Sequence, residues 1–70
     1  MLYEVIVSKT EQPIRMYLKT ENEAREKAIQ FAKKGYYVSI WQIDKKGAKE
    51  IAEYERISGK EKLPWWTEEE

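Results

Sequence analysis

Seventy residues, 41% hydrophobic and 37% charged, suit one small soluble domain. A chain this short hides only about 60% of the surface its unfolded form exposes, so it builds one modest core and no large catalytic cleft. Thirteen Lys plus Arg balance thirteen Asp plus Glu, with no histidine and no cysteine. That balance argues against a strongly basic nucleic-acid binder and against an acidic mimic, while disulfides, thiolate metal sites and cysteine nucleophiles are excluded together.

The stretch from Met1 to Ser8 alternates apolar and polar residues and carries Glu4, unlike the basic start and apolar run of an export signal. No stretch approaches the roughly 18 apolar residues of a membrane helix, so a cytoplasmic location is the expectation. Asp44 and Asn22 are the sole Asp and Asn in a charge set made mostly of Lys and Glu, a bias shared with heat-adapted proteins.

In chain order, Leu2 to Ser8 reads as a half-buried strand with Tyr3, Val5 and Val7 on one side and Leu2, Glu4 and Ile6 on the other. Lys9 to Pro13 is a polar connection closed by proline. Ile14, Met16 and Leu18 alternate with Arg15, Tyr17 and Lys19, the clearest period-two pattern in the chain. Thr20 to Glu23 then spells a capping box, in which the Thr20 hydroxyl accepts the Glu23 amide and the Glu23 carboxylate reaches back to the Thr20 amide. From there Ala24, Ala28, Phe31 and Ala32 recur at helical spacing, Lys33 and Lys34 suit the negative end of the dipole, and Gly35 suits a left-handed stop.

Tyr36 to Ile43 is aromatic and β-branched, and Asp44-Lys45-Lys46-Gly47 supplies a turn ending in a glycine able to take positive φ. The register this implies sets Trp41 opposite Ile51, Ile40 opposite Ala52 and Val38 opposite Tyr54. A helix from Ala48 to Arg56 is the competing reading, on propensity alone. After Ser58-Gly59 come a charged stretch, then Leu63 to Trp66, expected to pack, and Thr67 to Glu70, expected to fray. The expected fold class is therefore α+β: a β-β-α-β-β domain over residues 1–59, a mostly antiparallel four-stranded sheet with one helix on one face, followed by a tail over residues 60–70.

No catalytic constellation assembles. Ser8, Ser39, Ser58 and the threonines lack a histidine base, and Ser39 reads as a small polar residue on a strand. Glu50, Glu53 and Glu55 lie close in sequence, yet acid-base work on sugars needs a concave cleft that a single sheet with one helix rarely makes, so a solvated edge is the simpler reading. Glu68 to Glu70 read as a solubilising tail. Glycines stand alone at 35, 47 and 59, which excludes a P-loop or dinucleotide fingerprint. The sequence implies no enzyme, no cofactor and no metal.

What remains is a surface. With the helix on one side of the sheet, the other carries Leu2, Ile6, Tyr17, Tyr37, Trp41, Ile43 and Ile51 beside Arg15, Lys19, Glu4 and Glu53, an apolar and aromatic area large for open solvent. Trp65 and Trp66 either cover this face or join it. The expected partner-binding residues are Arg15, Tyr17, Tyr37, Trp41, Trp65 and Trp66, the partner being a protein or a second copy of the chain. The alternative is single-stranded nucleic acid stacked on the same aromatics, with Arg15 and Lys19 on phosphates.

Overall fold

The computed structural model describes residues 2–8 and 12–62. In chain order it contains β1 (Leu2–Ser8), β2 (Ile14–Leu18), α1 (Glu21–Lys33), β3 (Tyr37–Asp44), β4 (Gly47–Tyr54) and β5 (Glu61–Lys62). The strands form one antiparallel sheet in the order β2-β1-β3-β4-β5, with α1 against one face. The α+β class and the helix on one sheet face are as expected. Among the described residues the count is five strands rather than four, because Glu61 and Lys62 pair with Tyr54 and Glu53. A two-residue charged strand carries no alternation by which a sequence could reveal it.

The two hairpins join through β1 and β3, which places the most β-branched strands at the centre. Val5 and Val7 of β1 stand beside Ile40 and Val38 of β3, and all four are fully buried. On edge strand β2 the matching positions, Ile14, Met16 and Leu18, are only half-buried. The core is completed by Ala52 and Tyr54 of β4 and by Ala24, Ala28 and Ala32 of α1. Three alanines on one helix face let the helix backbone lie close to the sheet, so that large side chains come almost entirely from the strands.

Helix α1 starts where the capping box places it. The Thr20 side chain accepts the Glu23 amide at 3.2 Å and donates its hydroxyl to Glu23 Oε1 at 2.9 Å. The reciprocal contact thus runs hydroxyl to carboxylate, and not carboxylate to the Thr20 amide as the motif suggested. At the other end Gly35 has φ +104° and donates to the Ala32 carbonyl, the left-handed stop expected of it. Phe31, expected on the buried face, is half-buried at its border, with Lys34 Nζ 5.2 Å from its ring centroid.

The stretch from Ala48 onward is strand, so tertiary pairing overrides its helix propensity. Ile40 faces Ala52 and Val38 faces Tyr54, as expected, but Trp41 faces Glu50 instead of Ile51. The ladder shifts between Ile40 and Trp41 and leaves Ile51 as the surplus residue, half-buried and packed against the core. Ile51 therefore leaves the open apolar set in which the sequence placed it. Two demands collide here: the Asp44 to Gly47 turn fixes the register from one end, burial of Ala52 and Tyr54 fixes it from the other, and the two differ by one residue.

Beyond β4 the chain turns beneath the helix end. The Ile57 amide donates to the Ala32 carbonyl at 2.7 Å, and Glu55 and Lys60 close the loop through a 2.9 Å backbone bond. Leu63 to Trp66 and Thr67 to Glu70 lie outside the described residues.

Candidate functional site

Strand alternation and the register place side chains on the sheet face away from α1 in rows across the strands. One row runs Tyr17, Glu4, Trp41, Glu50, and the next runs Arg15, Ile6, Ser39, Glu53. Leu2 lies beside Ile43 at one end, and Ser8 beside Tyr37 at the other. Four of the six residues expected to bind a partner, Arg15, Tyr17, Tyr37 and Trp41, therefore share one face, while Trp65 and Trp66 lie outside the described residues. The tyrosines stand out furthest: Tyr17 is 57% exposed and Tyr37 42%. Trp41, Ile6 and Ile43 are half-buried among their neighbours.

Glu4 departs from expectation. Read from the sequence as a charge beside the face, it is 7% exposed, the one buried charged residue among those described. Its place on central β1, between Tyr17 and Trp41, explains this, because bulky neighbours on both sides cover it. The Glu4 carboxylate beside the Tyr17 phenol raises it above its ordinary pKa of 10.0. Arg15 Nη1 stands 3.6 Å from Glu4 Oε2, yet that oxygen has no hydrogen-bond partner among the described residues. A desolvated carboxylate oxygen short of a donor is costly, which sets Glu4 apart from the solvated glutamates of the face.

The other side of the face is acidic. Glu53 accepts the Tyr37 hydroxyl, and burial together with that carboxylate pushes the Tyr37 pKa up. Glu55, close to Glu53 in sequence, lies past the end of β4 and pairs with Lys62 at 3.3 Å, which lowers its pKa. The three glutamates thus do not converge on a common point. Ser39, expected to be a passive strand residue, accepts the Trp41 indole N–H at 3.3 Å and steadies the ring.

A second set of ionic contacts lies elsewhere. Glu61 of β5 accepts both the Tyr54 hydroxyl and Arg25 of α1, and Arg25 also reaches Glu21 at 2.9 Å. Burial pushes the Glu61 pKa up, but the Tyr54 and Arg25 donors outweigh it and the net shift is downward. This cluster ties three elements together and is structural in form. At the corner of the open face, Leu2, Lys19, Ile43, Asp44 and Lys45 line a wide, open depression. Among the described residues no group of three or more acidic side chains is placed to hold a metal ion, and no helix is long and apolar enough to cross a membrane.

Comparison with known protein families, characterised proteins and solved structures finds no match for the chain. Sequence reasoning missed Glu4 as a buried organiser and Glu50 as the neighbour of Trp41. The first needs β1 at the sheet centre and the second needs the shifted ladder, and neither leaves a local signal in the chain.

Proposed function

We propose that the chain is a non-enzymatic interaction module of the cytoplasm that binds protein through the open face of its sheet, with Arg15, Tyr17, Tyr37 and Trp41 as contact residues and Trp65 and Trp66 alongside them. The observation that carries this reading is the continuity of the face. Exposed Leu2, Tyr17 and Tyr37 flank half-buried Ile6, Trp41 and Ile43, and among the described residues no element packs over them. Aromatic rings and arginine set on a rigid sheet are the groups that dominate protein interfaces. Glu4, pinned beneath Tyr17 and Arg15, holds two of those groups in place before any partner arrives.

Protein is favoured over nucleic acid by charge. Glu4, Glu50 and Glu53 share the face with Arg15, so a phosphate backbone laid across it meets carboxylates at its centre and along one side. A photo-crosslinking phenylalanine analogue at Tyr17, compared in cells with one at Lys27 on the exposed helix face, tests the reading. Protein adducts from position 17 and none from 27 are expected. Absence of adducts at 17, or binding of a fluorescent oligonucleotide that quenches tryptophan at low salt, overturns it.

A further inference from the structure

We propose that the partner on the open face is a second copy of this chain, the two faces stacking about a two-fold axis parallel to the strands and midway between β1 and β3. The inference rests on the reading that this face binds protein and narrows it to one occupant.

The face is divided by charge. Arg15 lies on the β2 side, with Lys19 just beyond the strand, and Glu50 and Glu53 lie on β4 at the opposite side. An axis parallel to the strands sets β2 of one copy over β4 of the other and leaves the rows aligned. Arg15 then faces Glu53 of the partner subunit, Tyr17 faces the partner's Glu50, and Leu2 faces the partner's Ile43. Each contact occurs twice, as an isologous interface requires. The other in-plane axis, across the strands, stacks β2 on β2 and β4 on β4, so basic side meets basic side and acidic side meets acidic. Like-charge juxtaposition selects against that arrangement.

Size sets the strength to expect. Seven residues of β1 and four strands define a plate of roughly 20 by 19 Å, so two such plates pressed together remove roughly 800 Å² from water before side-chain relief is added, the size of a weak, concentration-dependent interface. A net charge of zero removes long-range repulsion between copies.

Charge exchange tests the arrangement. Sedimentation equilibrium of the full chain should show a monomer–dimer equilibrium, weakened by about 10-fold or more in Arg15→Glu and in Glu53→Arg, each of which sets like charges opposite each other. An equimolar mixture of the two variants should recover dimer, because every facing pair in the mixed species is again of opposite sign. Thermal melting confirms that each variant is folded. Independently of these variants, the cross-linker at Tyr17 should join the 47–54 segment of another copy, located by mass spectrometry of the linked peptides. A chain that is monomeric at all concentrations, a mixture no stronger than its components, or a Tyr17 adduct confined to the chain's own tail overturns the inference. A monomer whose Tyr17 adduct is a different protein overturns it while leaving the protein-binding reading intact. A monomer without adducts overturns both.

Discussion

Tyr54 and Glu61 are bound to each other: the buried phenol donates its hydroxyl to the carboxylate, and Arg25 of the helix grips the same group. Through this contact a two-residue strand is fastened to the core. Glu61→Gln should therefore lower stability by about 1–2 kcal/mol, and Tyr54→Phe by a similar amount, since each leaves a partly buried partner short of its bond. Tyr54→Ala, which also empties core volume, should cost about 3–5 kcal/mol. Urea denaturation of the variants checks the order; equal losses for Phe and Ala at Tyr54 would contradict it.

The same contact makes stability depend on pH at both ends. Glu61 is lowered from its ordinary 4.5 in the folded chain, so its contribution is present above that value and is lost as the pH falls through the folded pKa. Tyr54 and Tyr37 are raised from 10.0, chiefly by burial and then by Glu61 and Glu53 respectively, so their contribution is present below 10 and is lost as the pH rises further. The denaturation midpoint should be flat between about pH 6 and 9 and decline on both sides. Tyr54→Phe should flatten the alkaline decline, and an unaltered alkaline limb in that variant would refute the assignment.

Ile57 sits in the left-handed region at φ +73° with 77% of its surface exposed, in a tight turn closed by the 2.8 Å bond from the Ser58 amide to the Arg56 carbonyl. A β-branched residue is strained there and has little packing to compensate. Ile57→Gly should raise stability by about 0.5–1 kcal/mol, the relief of strain exceeding the entropy of the freer unfolded chain. Gly59→Ala should do the reverse, losing about 1–2 kcal/mol, because φ is +69° and the added methyl meets Lys33 Cγ at 3.2 Å. Thermal melting of both variants gives the two signs directly.

Ala28 is fully buried where the helix crosses the sheet. Ala28→Leu should cost about 1–3 kcal/mol or more, since the close approach of helix to sheet leaves no room for three further carbons. Lys27→Leu, on the exposed side, serves as the control and should change stability by less than about 0.5 kcal/mol. Equal effects at the two positions would show that the helix is not seated as described.

Trp41 is half-buried on the open face with only the Ser39 hydroxyl holding its indole N–H. Trp41→Ala should leave the chain folded, with a loss below the roughly 3–5 kcal/mol of a core aromatic, while weakening self-association strongly. Calorimetry and sedimentation on the same sample separate the two effects. A loss of stability in the full core range with unchanged association would move Trp41 from the interface to the core.

Much of the fold was legible because its signals are local. Thr20, Glu23, the alanine spacing and Gly35 fix the helix within a residue or so, and Ile14 to Leu18 and Asp44 to Gly47 announce a strand and a turn through chemistry confined to a few neighbours. The open face was legible in the same way, since alternation alone assigns Tyr17, Tyr37, Trp41 and Arg15 to one side once the helix is assigned to the other. Ile51 was misplaced because its side depends on a bulge, and the bulge arises from competition between a turn ending at Gly47 and a core that begins at Ala52.

The chain's own residues thus determined which segments are helix and strand and which side of each strand is apolar, because both follow from steric preferences and periodicity over a few residues. Only the tertiary structure decided that β1 and β3 meet at the centre, that Glu4 is buried between Tyr17 and Trp41, and that Glu61 closes a fifth strand against Tyr54 and Arg25. Those outcomes turn on which distant strands share an edge, a choice settled by how completely the valines, Ile40 and Tyr54 are removed from water together, and no stretch of neighbouring residues encodes that sum.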